Sequence, residues 1–158
     1  MNLLPTGHVE ELSGDLMVLF HFQDVPVPRN TLGTVDWYLS GAISRVSVDG
    51  KFTGARGTAA LFHPESKFQV GKILVLGLGP RTQVDPSVLK AAARQLRSMV
   101  DGLHVQDIRI VPPDLPQIPP QEAIDHLSST LRWPGESPDD APTFTFLTQT
   151  SAVPTSLT

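Results

Sequence analysis

Three short apolar runs constrain the fold of this chain more than any other feature of its sequence. Residues 16–22 read LMVLFHF and residues 72–78 read KILVLGL, and almost every position in both is apolar. Runs of this length are typical of strands buried on both faces of a sheet. A third run, DIRIV at residues 107–111, comes after a segment with helical periodicity and is also expected to be a strand. We therefore predict an α/β fold: a three-layer α/β/α sandwich with a mixed, mostly parallel sheet.

The segment between the first two runs predicts one helix and one further strand. Apolar residues recur at helical spacing from residue 35, and Thr34 is placed to cap the helix. The pattern stops near Asp49 and Gly50, and residues 58–63 then read as a strand after a glycine-containing turn. The helical positions are Val35, Leu39, Ile43 and Val46.

Asp85 and Pro86 predict the start of a second helix, because a carboxylate cap followed by proline in the first turn is a common helix beginning. We expect the helix to end at Gly102. Arg94 and Arg97 are expected on its solvent-exposed face. The apolar stripe consists of Val88, Leu89, Ala92, Leu96, Met99 and Val100.

A chain of 158 residues fits one domain. We expect residues 1–14 to be an N-terminal extension, residues 15–150 the domain, and residues 151–158 a frayed tail. Nine of the 15 prolines occur from Pro112 onward, so residues 112–120 are predicted to be an extended connector within the domain. A short helix at residues 121–132 and a strand at residues 144–148 should follow it.

Composition excludes several classes of function. The net charge of -4 argues against nucleic-acid binding, because no excess of basic residues can attract a phosphate backbone. The absence of cysteine excludes disulfides and thiolate chemistry. No apolar run approaches the roughly 18 residues that a membrane span needs, and no signal peptide is apparent. We expect a soluble cytoplasmic protein.

The titratable residues form no recognisable catalytic or metal-binding motif. The five histidines are scattered singly, so we expect no metal site and no cofactor. His21 and His63 lie at strand ends, where α/β folds often bind ligands, but a structural role explains each as well. Glu136, Asp139 and Asp140 are more typical of a solvated acidic loop than of a calcium site.

Two features are candidates for ligand binding. The turn containing Gly77, Gly79, Arg81 and Thr82 follows a strand and precedes a helix, as phosphate-binding loops do. Pro80 lacks an N–H donor, however, and the Walker lysine is absent, so a plain turn is the competing interpretation. Trp37 is adjacent to Tyr38, and two neighbouring helical residues cannot both belong to one narrow apolar stripe. One of the two is therefore available to a pocket or a partner.

Residues 35–45, VDWYLSGAISR, followed by residues 50–57, GKFTGARG, are similar to the N-terminal domain of the leucyl aminopeptidase (M17) family. Residues 72–79, KILVLGLG, resemble that domain's strand and its terminal glycines. The resemblance covers roughly residues 15–111. It implies a macro-domain-like α/β/α fold. The proline-rich region after Val111 follows no pattern of the family that we can identify.

The resemblance also implies what this chain does not do. In the family, the metals, the catalytic lysine and the catalytic arginine belong to a separate C-terminal domain, whose signature occurs nowhere in this sequence. We therefore expect a noncatalytic interaction or regulatory module that self-associates or docks on a related aminopeptidase. The alternative is a macro-domain-like binder of ADP-ribose or another nucleotide, acting through residues 77–82 and residues near Asp24 or Asp36.

Overall fold

A computed structural model describes residues 2–6, 13–25, 28, 30–64 and 68–149. Within these residues the secondary structure comprises six strands, four α-helices and one short 3₁₀ helix. In chain order they are β1 (Asn2–Thr6), β2 (Ser13–His21), α1 (Asn30–Tyr38), α2 (Ala42–Val48), β3 (Ala59–Phe62), β4 (Gln69–Gly77), the 3₁₀ turn (Arg81–Gln83), α3 (Pro86–Leu103), β5 (Asp107–Ile110), α4 (Pro120–Leu131) and β6 (Thr143–Gln149).

The strands form one sheet in the order β1-β6-β5-β2-β4-β3. Every neighbouring pair is parallel except β3 and β4, which are antiparallel. The first apolar run lies in β2, which pairs with β4 on one side and with β5 on the other. The predicted mixed, mostly parallel α/β fold is therefore confirmed.

The sheet separates two hydrophobic cores, which makes the fold three-layered. Along β2, Leu16, Val18 and Phe20 belong to the core shared with α3 and α4. Met17 and Leu19 belong to the core on the opposite face, with α1 and α2. Because successive strand residues point to opposite faces, an unbroken apolar run is what a strand covered on both faces requires.

The helix predicted from Thr34 onward is wrong in its bounds, because the structure has two helices there. The chain leaves α1 through Ser40 and Gly41, whose φ angles of 58° and 79° lie in the left-handed region. Asp36 stabilises the break, since its Oδ1 accepts the amide of Ile43 at 2.8 Å at the start of α2. Thr34 lies inside α1 and does not cap it.

The predicted start of α3 is confirmed, but its end is not. The Asp85 carboxylate accepts the amide of Val88 at 3.0 Å, and Pro86 is the first helical residue. Gly102, predicted as the stop, lies within α3, and His104 ends the helix with a φ of 56°. A histidine in the left-handed region replaces the expected glycine, which no helical pattern could indicate.

Arg97 is the largest correction within α3. It was expected on a solvated face, yet only 2% of it is exposed. Its guanidinium pairs with Glu136 and lies 4.5 Å from the centroid of the Trp133 ring. The segment that follows α4 therefore covers a helix face that the sequence indicated as open. The partner of Arg97 is 39 residues away along the chain, so no local pattern could reveal it.

The predicted N-terminal extension is also corrected. Asn2–Thr6 form the edge strand β1, which runs parallel to β6. Ser13 and Gly14, also placed in the extension, begin β2 and pair with β4. The first described residues of the chain thus belong to the same sheet as its last strand. Such pairing is nonlocal, and a five-residue strand containing proline gives little sequence signal.

Residues 112–120, predicted to be an extended connector, lie between β5 and α4. The chain between β5 and α4 has no regular structure, although Pro120 is already the first residue of α4. Leu115 and Ile118 are buried in the α3–α4 core, so the connector packs against the domain. The predicted tail at residues 151–158 lies outside the described residues.

Candidate functional site

A cavity of about 470 Å³ opens beyond the carboxyl ends of β2 and β5. Ligand sites of parallel α/β sheets usually lie at this edge. One wall is the end of β2 and the first turn of α1, and the opposite wall is the chain after β5. The side chains and backbone that line it belong to Leu19, Phe20, His21, Phe22, Asp24, Val25, Thr31, Leu32, Arg81, Val111, Pro112, Pro113 and Asp114.

Arg81 is one of the residues that line this cavity. Its backbone amide donates to Oδ1 of Asp24 at 2.9 Å. Its Nε donates to the carbonyl oxygen of Asp114 at 2.9 Å, and its Nη2 donates to Oδ2 of Asp114 at 3.1 Å. The guanidinium also lies 5.8 Å from the centroid of the Phe22 ring. One residue therefore connects the turn after β4 with both walls of the cavity.

His21 also lines the cavity and is almost fully buried, with 1% exposed. Burial lowers the pKa of its imidazole, and the nearby charge of Asp36 opposes that shift only in part. The ring is therefore neutral at neutral pH. Its Nε2 is buried and has no hydrogen-bond partner among the described residues. Both predicted strand-end positions are confirmed, since His21 is the last residue of β2 and His63 directly follows β3; His63 is exposed.

The glycines of the turn after β4 serve packing. The amide of Gly77 donates to the carbonyl of Thr58 at 2.8 Å, and the amide of Gly79 donates to the carbonyl of Gly54 at 2.9 Å. A Cβ atom on Gly77 would lie 2.6 Å from the carbonyl carbon of Gly54, and still closer to the carbonyl oxygen of Ala55. Ligand binding by these glycines stays a prediction, and their amides are already engaged.

Trp37 does not line the cavity. It lies on α1 with 75% of its surface exposed. Its ring packs edge-on against Tyr38 at a centroid distance of 5.2 Å, and Tyr38 packs edge-on against Phe68 at 5.7 Å. Thr82 is exposed and also lies outside the cavity lining. Of the five predicted ligand-binding residues, only Arg81 lines the cavity.

The two aspartates proposed to assist a ligand have different positions. Asp24 lines the cavity, whereas Asp36 is 8% exposed and caps α2. The Asp36 carboxylate also accepts the amide of Ser44 at 3.0 Å and its hydroxyl. Asp36 therefore holds the α1–α2 break, and it influences the cavity only through its charge near His21.

Asp114 is a cavity residue that sequence reasoning missed. It lies in the proline-rich connector, which was treated as a spacer, and its contact with Arg81 joins positions 33 residues apart. Its side chain is 63% exposed. A single carboxylate between prolines carries no motif, so its role became visible only with the fold.

The acidic loop after α4 differs from its prediction at one position. Asp139 and Asp140 are exposed, as a solvated loop requires, but Glu136 pairs with the buried Arg97. Within the described ranges, no group of three or more His, Asp or Glu side chains could hold a metal ion. No helix there is long and apolar enough to span a bilayer.

Comparison with known proteins relates the chain to one family. The family model described as "Cytosol aminopeptidase family, N-terminal domain" matches residues 18–132. A probable cytosol aminopeptidase from Cyanothece sp. (strain PCC 7425 / ATCC 29141) is 30% identical over 88 residues, which are 56% of this chain and 18% of that protein. The matched segment is therefore a small part of the curated relative.

Two solved structures show the same fold at low sequence identity. A tomato leucine aminopeptidase mutant superposes with a TM-score of 0.67 and 16% identity, over 94% of this chain and 31% of that one. The Trypanosoma brucei macrodomain in complex with ADP superposes with a TM-score of 0.71 and 15% identity, over 93% of this chain and 63% of that one. The predicted macro-domain-like fold is thereby confirmed.

Proposed function

The chain belongs to the cytosol aminopeptidase family through the N-terminal domain of that family, and we propose that it is a noncatalytic interaction module. Its partner is a second copy of this chain or an aminopeptidase of the same family. The proposal of no catalysis is supported by the matched region, since it corresponds to the N-terminal domain of the enzymes. The family resemblance supports the partner class.

The exposed indole of Trp37 is the observation that carries this proposal. An indole with 75% of its surface in solvent is unusual, because tryptophan is generally buried or part of an interface. Its ring packs edge-on against Tyr38, which in turn packs on Phe68. A rigid aromatic side chain loses little entropy on binding, which is why such residues dominate binding energy at interfaces.

A second exposed apolar residue supports the same helical layer as the contact surface. Val48, at the end of α2, is 84% exposed. The α1–α2 layer thus presents apolar side chains to solvent while its inner face is buried against the sheet. The outer surface of this layer, marked by Trp37 and Val48, is the proposed interaction surface.

Native mass spectrometry and sedimentation velocity would test the proposal with the wild-type chain alone and mixed with a purified aminopeptidase of the family. We expect a dimer, a higher oligomer or a mixed complex that Trp37→Ser weakens by about tenfold or more, the scale of a hot-spot residue. Leu61→Ser is the control, since Leu61 is a large apolar residue that is 38% exposed on the strand β3. A strictly monomeric chain that binds no such aminopeptidase would overturn the proposal.

A second candidate function is binding of a nucleotide in the cavity at the ends of β2 and β5. Its volume of about 470 Å³ is within the range of small-molecule sites. The structurally similar macrodomain from T. brucei was solved with ADP. ADP-ribose in a thermal-shift assay would test this candidate, because a ligand that binds only the folded state raises stability. No shift with either ADP-ribose or adenosine at millimolar concentration would refute it.

A further inference from the structure

We propose that Asp114 makes the cavity at the ends of β2 and β5 select uncharged ligands over phosphorylated ones. The inference rests on the second candidate function, in which this cavity binds a small molecule. It assigns to Asp114 the role of a specificity-determining residue and gives the ligand class as a flat, uncharged heterocycle such as a nucleoside.

The first argument is that the arginine of the cavity is already paired. Arg81 uses its Nε and Nη2 together on Asp114, on the carbonyl at 2.9 Å and on the carboxylate at 3.1 Å. Two parallel N–H groups on one edge of a guanidinium are the arrangement that binds phosphate best. A phosphate that approached Arg81 would therefore have to displace Asp114 or lie beside its carboxylate.

The second argument is that the turn after β4 offers few donors to an anion. In the turn after β4, the amides of Gly77, Leu78 and Gly79 donate to carbonyl oxygens of the protein. Pro80 has no amide hydrogen, and the amide of Arg81 donates to Asp24. A phosphate loop works through amides that point at the ligand, and these point elsewhere.

The balance of charge around the cavity gives the third argument. Asp24 and Asp114 contribute two negative charges, Arg81 contributes one positive charge, and His21 is neutral because burial lowers its pKa. The first turn of α1 lines the cavity at Thr31, and a helix N-terminus adds a partial charge of roughly +0.5. Over the described lining residues the sum is negative, which disfavours a diphosphate relative to an uncharged ligand.

The walls of the cavity indicate what an uncharged ligand would contact. Phe22, Leu32 and the successive Pro112 and Pro113 provide apolar surface. The Asp24 carboxylate uses Oδ1 for the amide of Arg81 and has further acceptor capacity for a ligand N–H group. A heteroaromatic ring with an exocyclic amine offers a flat apolar face to these walls and an N–H donor to the carboxylate.

Isothermal titration calorimetry with adenosine and ADP tests the inference on the full chain. For the wild type, we expect adenosine to bind more tightly than ADP. Asp114→Asn removes the negative charge at nearly constant shape, so ADP affinity should rise by roughly fivefold to tenfold, the range of a partly screened charge interaction. Adenosine affinity should change by less than about twofold, because adenosine carries no charge that could interact with residue 114. The control Asp139→Asn removes an exposed carboxylate in the loop after α4 and should change neither affinity.

The outcomes separate failure of the inference from failure of the underlying function. If the wild type binds ADP at least as tightly as adenosine, or if Asp114→Asn leaves ADP affinity unchanged, the selectivity proposal is overturned and ligand binding stands. If neither compound binds the wild type or Asp114→Asn, both the inference and the nucleotide candidate are overturned. Urea unfolding of each variant verifies that it is folded.

Discussion

Replacing Gly77 with alanine should destabilise this protein far more than its position at the end of a strand suggests. The added Cβ would lie 2.5 Å from the Thr58 hydroxyl oxygen and 2.6 Å from the carbonyl carbon of Gly54, and closer still to the carbonyl oxygen of Ala55. Two of these neighbours are backbone atoms, which cannot rotate away as a flexible side chain can. Relief therefore requires the loop at residues 54–58 to move away from β4.

The size of the effect follows from what that movement breaks. The loop is tied to the end of β4 by the Gly77 amide on the Thr58 carbonyl and by the Gly79 amide on the Gly54 carbonyl. Each hydrogen bond contributes about 1 kcal/mol, and overpacking in a filled site costs about 1–3 kcal/mol. We expect a loss of about 3 kcal/mol in the free energy of unfolding, a large part of the 5–15 kcal/mol typical of a domain.

Urea unfolding followed by tryptophan fluorescence and circular dichroism would measure this loss. With a slope of about 2 kcal/mol/M, the midpoint should fall by about 1.5 M. Gly102→Ala is the matched control, because it adds the same methyl group inside α3 where no atom lies within 4 Å. Helix propensity predicts that this variant gains up to about 1 kcal/mol. A Gly77→Ala variant within about 1 kcal/mol of the wild type would refute the packing argument.

Three further predictions concern charged groups, each measured by urea unfolding. Arg97→Ala should lower the free energy of unfolding by about 2–4 kcal/mol, because the Glu136 carboxylate loses its buried partner and a cavity forms. The control Arg94→Ala, on the exposed face of α3, should change it by less than about 0.5 kcal/mol. Burial holds the pKa of His21 below its ordinary value of 6.5, so as the pH falls the unfolded chain binds a proton at this histidine before the folded chain does. The free energy of unfolding should therefore fall as the pH drops below 6.5. His21→Gln should make the free energy of unfolding less dependent on pH in this range. Two backbone amides near the start of β5 hold the pKa of Asp15 below its ordinary 3.8, so its contribution is present above pH 3.8 and is lost as the pH falls through the lowered value; Asp15→Asn should be less stable at neutral pH and approach the wild type in acid.

The sequence predicted the parts of the fold that local physics determines. Residues 16–20 of β2 and residues 73–76 of β4 are all apolar because both faces of the sheet are covered there. The start of α3 was predictable because Asp85 and Pro86 act on the backbone within one turn. Each of these signals lies within a few residues of the structure that it specifies.

The features that the sequence missed depend on contacts between distant segments. The strand β1 exists because it pairs with β6 at the other end of the chain. Arg97 is buried because the segment after α4 covers it, and Asp114 faces a cavity because β5 directs the connector toward Arg81. Charged residues at helical spacing indicate an exposed face only when no other segment packs against it.

The turn after β4 shows why the same residues supported two interpretations. Glycine is needed where a backbone approaches closely, and the approaching group can be a phosphate or another segment of the protein. The two cases differ only in which group contacts the glycine. At Gly77 the contacting group is the loop at residues 54–58, about 20 residues earlier in the chain. With the glycine amides engaged by that loop, ligand selectivity at this turn depends on side chains. Arg81 and Asp114 are the opposed charges placed to supply it, and Asp114→Asn is therefore the substitution that most directly tests the site.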